Sequence, residues 1–254
     1  MTSILLFCYL LLGGLLGGLL SSIASMASLA TYPVLLSAGV LPIYANVTND
    51  AALIWTSLGS TMASMKELHG HWRKVWTYAS LTTLGAIAGS FLLLAFPSRV
   101  FEKLVPFFIG FSGIMILISG HKAKKEIPKK TNNRWTQFWG VLGLLTMGAY
   151  TGYFGAAGGV IVLVILDYLM DENFLVINAI KNVLCGMANL VALIIYSVTS
   201  KIYWAQAFPL AIGMLIGGYV GPRLLRHLPV KGVRIFIALL AFSQAAYFAY
   251  KAFF

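Results

Sequence analysis

The chain has 254 residues, 59% hydrophobic and only 10% charged, with a mean hydropathy of +0.86 and a formal net charge of +11. Soluble domains carry about 25% charged residues, so this composition excludes a soluble globular protein and marks an integral membrane protein. The basic residues lie between apolar runs and form no continuous patch, which is the pattern of positive-inside topology and not of nucleic-acid binding.

Apolar runs bounded by charges and prolines fall at 3–20, 23–40, 46–65, 75–96, 100–119, 135–151, 158–170, 176–198, 204–222 and 233–252. A full crossing takes about 20 apolar residues. Six runs are comfortable spans, and the four flanking 21–28 and 152–159 are shorter, as half-helices, re-entrant hairpins or tilted spans would be. The first run lacks a basic start and a cleavage-like site, so it reads as a mature segment.

The segment 148–159 holds five glycines in twelve residues. Each costs a helix interior about 1 kcal/mol relative to alanine, so the spacing predicts a break inside a hydrophobic segment. In a bilayer such a break survives only where the freed peptide groups meet protein, a watery cavity or a ligand. Gly152, Tyr153, Gly155, Gly158 and Gly159 are therefore candidate binding residues. The other glycine pairs, Gly13 and Gly17, Gly14 and Gly18, Gly85 and Gly89, and the series Gly213, Gly217 and Gly221, have the spacing of close helix packing.

An offset of 132 residues superposes Asn46 on Asn178, Trp72 on Trp204, Gly85 on Gly217, Gly89 on Gly221, Leu92 on Leu224 and Pro97 on Pro229. An offset of 131 places Gly17 on Gly148, Ser21 on Gly152, Ala24 on Gly155 and Ser28 on Gly159. The chain reads as a duplication, with a first repeat at 1–120, a basic cytoplasmic linker at 121–134 and a second repeat at 135–254. The break has a counterpart at Ser21, Ser22, Ser25 and Ser28, whose hydroxyls either bind an anion or cap the backbone.

Inverted halves would place thirteen basic residues inside against four outside, whereas parallel halves would give eleven against six; the inverted arrangement is favoured. The expected fold is an all-α polytopic membrane protein of two homologous, inverted halves, each with four to five membrane segments including a broken or re-entrant helix. Fresh helices are expected near Ser28 and Gly158, and their N-termini would attract anions.

Beyond the second break, Asn178, Asn182, Cys185 and Asn189 are spaced four, three and four, on one helical face. Their repeat mates Asn46, Asp50, Leu53 and Ser57 form a second stripe, so the two could face one cavity or act as interhelical glue. Lys181, with Asn49 as its mate, is either a cavity cation or a lysine snorkelling to the interface. Asp50 and Asp167 are candidates for proton coupling, with a plain helix-start carboxylate the other reading of Asp50, and sodium is the other coupling ion considered. Cys8 and Cys185 read as small core residues without a disulfide or metal role. All four histidines lie in basic loops, and no metal-ligand spacing, Walker motif or hydrolase elbow occurs; no cofactor and no enzyme activity are expected.

The stretch Gly140-Val-Leu-Gly with the 148–159 cluster, the segment 178–193, and Gly213-Met-Leu-Ile-Gly-Gly-Tyr-Val-Gly-Pro-Arg-Leu-Leu resemble the sulfite exporter TauE/SafE family. Gly70-His-Trp-Arg and Gly85-Ala-Ile-Ala-Gly followed by Pro97 match in the first half. The resemblance covers nearly the whole chain. It implies a prokaryotic inner-membrane permease for small anions, typically sulfite, sulfonates and related organosulfur compounds. The departure is the Ser-rich 21–28, where the family usually carries glycines. An anion channel and a non-transporting membrane scaffold are the alternative readings.

Overall fold

The computed structural model describes residues 3–95, 106, 107, 110, 114, 134–153 and 158–253. The expected run at 100–119, apart from those isolated positions, the linker at 121–133 and the candidate Gly155 lie outside the described residues. Among the described residues every regular element is a helix: α1 (Ser3–Ala24), α2 (Ser28–Ser37), α3 (Pro42–Ala63), α4 (Met65–Leu68), α5 (Trp72–Ala95), α6 (Arg134–Tyr153), α7 (Gly158–Leu169), α8 (Phe174–Thr199), α9 (Trp204–Leu225) and α10 (Val230–Phe253).

Local chemistry sets the boundaries. Helix α2 ends in a Schellman motif: Gly39 adopts φ +84°, Val40 N–H donates to Leu35 O at 3.1 Å and Gly39 N–H to Leu36 O at 3.0 Å, as the left-handed position after a helix requires. Pro42 then opens α3, where a missing N–H costs nothing. Asn173 caps α8, its side chain accepting from Val176 N–H at 3.0 Å, one of the donors a helix start leaves free.

Among the described residues four helices are long and apolar enough to cross a membrane: Ile4–Ala24, Trp72–Leu92, Phe174–Thr199 and Trp204–Leu225. Helices α2 and α7, at 10 and 12 residues, reach only about 15 to 18 Å at 1.5 Å per residue, half of a bilayer core of about 30 Å. Large apolar side chains point outward, among them Leu12, Trp55, Trp76, Phe91, Ile194 and Phe208, while Asn46, Asn49, Asp50, Asn178, Lys181 and Asn189 are buried. This inside-out distribution suits lipid around the rim and polar function within.

Glycines set the packing. Gly14 and Gly18 of α1 lie so close to Leu210 and Met214 of α9 that a Cβ on either would strike backbone. Gly85 and Gly89 of α5 meet Leu145 and Ala149 of α6 in the same way. In both pairs the residue numbers rise together, so α1 runs with α9 and α5 runs with α6. Helix α3 also runs with α9, from the Tyr203 N–H bond to Thr48 Oγ1 (3.2 Å) at one end to the Arg226 bond to Ala63 O (3.0 Å) at the other. Helix α5 runs with α8, since His71 Nε2 lies 3.0 Å from Glu172 Oε1 just before both helices start and Ser90 lies beside Tyr196 near their other ends. The buried cores mix both halves: Leu10, Leu35, Tyr196 and Met214 share one, and Val75, Leu144, Leu166 and Ile177 the other.

Candidate functional site

The first break is shorter than the serine pattern suggests. Helix α1 continues through Ala24, and only Ser25, Met26 and Ala27 separate it from α2. Ser25 stands at φ +59°, the one non-glycine with positive φ among the described residues, a conformation that costs an L-residue about 1 kcal/mol or more. The helix N-terminus beyond it is less open than expected. Leu29, Ala30 and Thr31 N–H groups turn back onto the carbonyls of Met26 and Ala27 at 3.0 to 3.2 Å.

The carbonyl end of α1 is covered from the other half of the chain. Asn178 and Asn182 of α8 both donate from Nδ2 to Ser22 O, at 3.0 and 3.3 Å, and Lys181 Nζ reaches Ser21 O at 3.5 Å. A helix end inside a membrane has no water for its last carbonyls, and a cation there also favours the helix dipole. Lys181 is fully buried, so it does not snorkel outward.

At the second break α6 runs through Tyr153, so Gly152 lies in its last turn, not in the interruption. Gly148 and Gly152 form a four-residue ridge whose Cα atoms sit against Thr82 and Ala86 of α5. Gly152 is thereby a packing residue, and its carbonyl accepts from the buried Tyr196 hydroxyl of α8. Gly158 and Gly159 open α7. A Cβ on Gly159 would strike the Ser25 side chain and sit 3.1 Å from Cys185 Sγ, which brings the two breaks into direct contact.

Between them, and between α3 and α8, lies a cavity of about 30 Å³. Of the residues expected at the site, Ser21, Ser25, Ser28, Ser57, Gly159, Asn182 and Asn189 line it. Leu53 and Cys185, also on the two stripes, line it as well. The stripes do meet, most closely where Gly186 admits the Ser57 side chain. Thr56 and Thr151 were missed. Thr56 Oγ1 and Asn189 Oδ1 are buried at the cavity without a hydrogen-bond partner, a costly condition that a ligand would relieve.

The remaining candidates sit behind this lining. Ser22 packs on Gly221 and donates to Leu19 O at 3.2 Å. Asn49 accepts from Thr31 Oγ1 at 2.6 Å and donates to Ser28 Oγ at 3.4 Å, which ties α3 to the start of α2. Asn46 Nδ2, Asn178 Oδ1 and both carboxylate oxygens of Asp50 are buried and unpartnered. Tyr153 and Gly158 are buried but not part of the described lining. Asp167 is exposed, so it lacks the apolar setting expected for a coupling carboxyl. Among the described residues no group of three His, Cys, Asp or Glu could hold a metal.

The sulfite exporter TauE/SafE family profile matches residues 10–248. The chain is similar to the "Probable membrane transporter protein YfcA" of Escherichia coli strain K12, 24% identical over 98% of this chain and 92% of the relative. It is also similar to the "Probable membrane transporter protein ORF9" of Sinorhizobium sp, 24% identical over 95% of this chain and 90% of that one. A "Probable membrane transporter protein" of Xylella fastidiosa strain Temecula1 is 26% identical over 85% and 83%. No solved structure matches with significance. With nearly its whole length matched, apolar helices around a polar interior and a cavity at two helix breaks, the chain belongs to the sulfite exporter TauE/SafE family of multi-pass membrane proteins.

Proposed function

We propose that the protein is a secondary permease for small anions, sulfite, sulfonates or related organosulfur compounds, that works by alternating access in a prokaryotic inner membrane and is not an enzyme. The observation that carries this reading is the cavity between α3 and α8, where Ser25, Ser28, Thr56, Ser57, Asn182 and Asn189 offer neutral donors and, among the described residues, no charged side chain lines the wall. Neutral hydroxyls and amides at helix breaks hold an anion without trapping it, as transport demands. Family membership and the transporter names of the relatives point the same way.

Two further observations support the mechanism. The repeat pairs α1 with α6, α3 with α8 and α5 with α9, while packing directions group α1, α3 and α9 against α5, α6 and α8. The connection between α8 and α9 spans only Ser200 to Tyr203, too short for two bilayer-length helices to do anything but reverse. Groups that run oppositely support the reading of the halves as inverted repeats, of the kind that would rock about a central site. The cavity, at about 30 Å³, has room for a water or two and falls far below the roughly 300 Å³ of an open ligand pocket, which is the size an occluded conformation would leave.

Proteoliposomes loaded with labelled sulfite, a small sulfonate or thiosulfate test the reading. Protein-dependent, saturable counterflow of at least one is expected, and absence of movement for all three by folded protein would refute it.

A further inference from the structure

A second and larger cavity, of about 250 Å³, lies along the seam between α3 and α9. Ala51 and Trp55 of α3 and Trp204, Ala207, Phe208 and Ala211 of α9 line it, and its wall is apolar throughout. Trp204 and Phe208 are 60% and 66% exposed, so the groove opens away from the bundle, on the side a bilayer would cover. Trp55 adjoins Thr56 in sequence, yet Thr56 lines the central cavity. Helix α3 therefore stands between the two spaces.

The repeat shows that this groove is peculiar to one seam. The offset of 132 carries Ala51 onto Val183, Trp55 onto Met187, Ala207 onto Val75 and Trp204 onto Trp72. In the equivalent seam of α5 and α8, Val75 is fully buried, and Trp72, Val183 and Met187 pack against the same core. Alanine in place of valine on both walls of the α3–α9 seam withdraws the side chains that would fill it. A void with an apolar wall stays dry, and its lining forfeits dispersion contacts, so an apolar occupant is favoured.

The dimensions select the occupant. The lining runs along α9 from Trp204 to Leu215, about 16 Å at 1.5 Å per residue, which is the depth of one leaflet of a hydrocarbon core of about 30 Å. A volume of about 250 Å³ over that length leaves a cross-section of roughly 16 Å², too narrow for a helix of about 10 Å diameter and suited to a single hydrocarbon chain.

The end of the groove by Trp204 carries a cation. Tyr203 N–H bonds Thr48 Oγ1 at 3.2 Å, one turn of α3 from Ala51, and the Lys201 ammonium stands 5.0 Å from the centroid of the Tyr203 ring. Lys201 is exposed, and among the described residues no carboxylate pairs with it. The opposite end of α9 holds Arg223 and Arg226, so Trp204 and Lys201 take the place of an aromatic and basic anchor at the other membrane face. An unpaired cation over a groove one leaflet deep is complementary to a lipid with a negative headgroup.

We propose that the α3–α9 groove is a binding site for an anionic phospholipid, one acyl chain of which fills the seam while Lys201 holds the phosphate. The site does not depend on the permease reading and would stand without it.

Native mass spectrometry of the full chain, released from micelles with equal amounts of phosphatidylglycerol and phosphatidylcholine of the same acyl chains, tests the proposal. The wild type should retain one phosphatidylglycerol about fivefold more often than phosphatidylcholine, the gain expected of one lysine at an anionic headgroup. Lys201→Gln should bring the two lipids to parity, and Lys66→Gln, an exposed cation beyond the far end of α3, should leave the preference unchanged. Ala51→Val with Ala207→Val, which restores the side chains of the equivalent seam, should lower retention of both lipids. If that pair does not fold, tryptophan quenching by lipids with brominated chains replaces it: phosphatidylglycerol should quench the wild type more than phosphatidylcholine does, and Lys201→Gln should abolish the excess. No preference in the wild type, a preference that survives Lys201→Gln, retention unchanged in the folded valine pair, or a lipid-free dimer that the valine pair dissociates would overturn the proposal.

Discussion

The two helix breaks of this protein occupy equivalent places in the repeat and are held in unlike ways. The break after α1 is closed by three side chains of α8, Asn178, Lys181 and Asn182, and carries its strain at Ser25. The end of α6 is backed by the glycine ridge Gly148 and Gly152 on α5 and touched by Tyr196, while on α3 Asn46 Nδ2 and both carboxylate oxygens of Asp50 are buried without partners. The end of α1 is thus held by side chains of α8, whereas Asn46 and Asp50 of α3, in the places that correspond to Asn178 and Asn182, keep unspent hydrogen-bonding capacity.

The largest effect should come from the scaffold that holds the second break. A Cβ at Gly89 would overlap the Ala149 backbone, and neither helix can yield without losing its whole contact. Gly89→Leu should destabilise the protein by more than about 3 kcal/mol, read as a collapse of its thermal transition in detergent; a wild-type transition would mean that the α5–α6 ridge is not rigid.

Next in size is the contrast between the repeat mates Asn178 and Asn46. Asn178→Leu removes a donor from the Ser22 carbonyl and should cost about 1 to 2 kcal/mol. Asn46→Leu removes an amide nitrogen that bonds nothing, and should be neutral or stabilising by up to about 1 kcal/mol. Equal losses in thermal stability would erase the difference drawn between the two breaks.

The smallest effect concerns the point where the breaks touch. Gly159→Ala places a methyl group against the Ser25 side chain and should cost about 1 kcal/mol. Ser25→Gly relieves the positive φ and should add about 0.5 to 1 kcal/mol. In the double variant the collision disappears, so its stability should exceed that of Gly159→Ala by more than the Ser25→Gly gain alone. Simple additivity in a double-mutant cycle would separate the two residues.

Much of the helix layout is legible in the sequence, because charges, prolines and apolar run lengths bound each segment to within a few residues: α7 and α9 begin at the expected Gly158 and Trp204. The helical start at Ser28 was legible as the counterpart of the one near Gly158, since the 131-residue offset places Ser28 on Gly159. Which member of a stripe lines the cavity was not. Asn178 and Asn182 are one turn apart on the same face, yet only Asn182 reaches the cavity wall, since helix tilt and the neighbour's position decide this and periodicity does not. Lys181 offered two readings, cavity cation or snorkelling side chain, and its head group does something else by turning to a carbonyl of another helix, a contact between residues 160 apart. Gly152 was grouped with the break because its spacing from Gly155 and Gly158 masked the older four-residue ridge with Gly148. Tyr196, a lone tyrosine in an apolar run, gave no signal beyond its polar tip.

The central claim is that the cavity between α3 and α8 is a transport site reached from one side of the membrane at a time. Cys185 lines it and Cys8 is exposed on α1, so a Cys8→Ser variant carries a single reporting thiol. Reaction of Cys185 with a small membrane-impermeant alkylating reagent, applied to either face of sealed vesicles and with or without a small sulfonate, reads access directly. The account predicts labelling from one face at a time, slowed by a transported sulfonate. Equal labelling from both faces regardless of substrate, or no labelling from either, would contradict it.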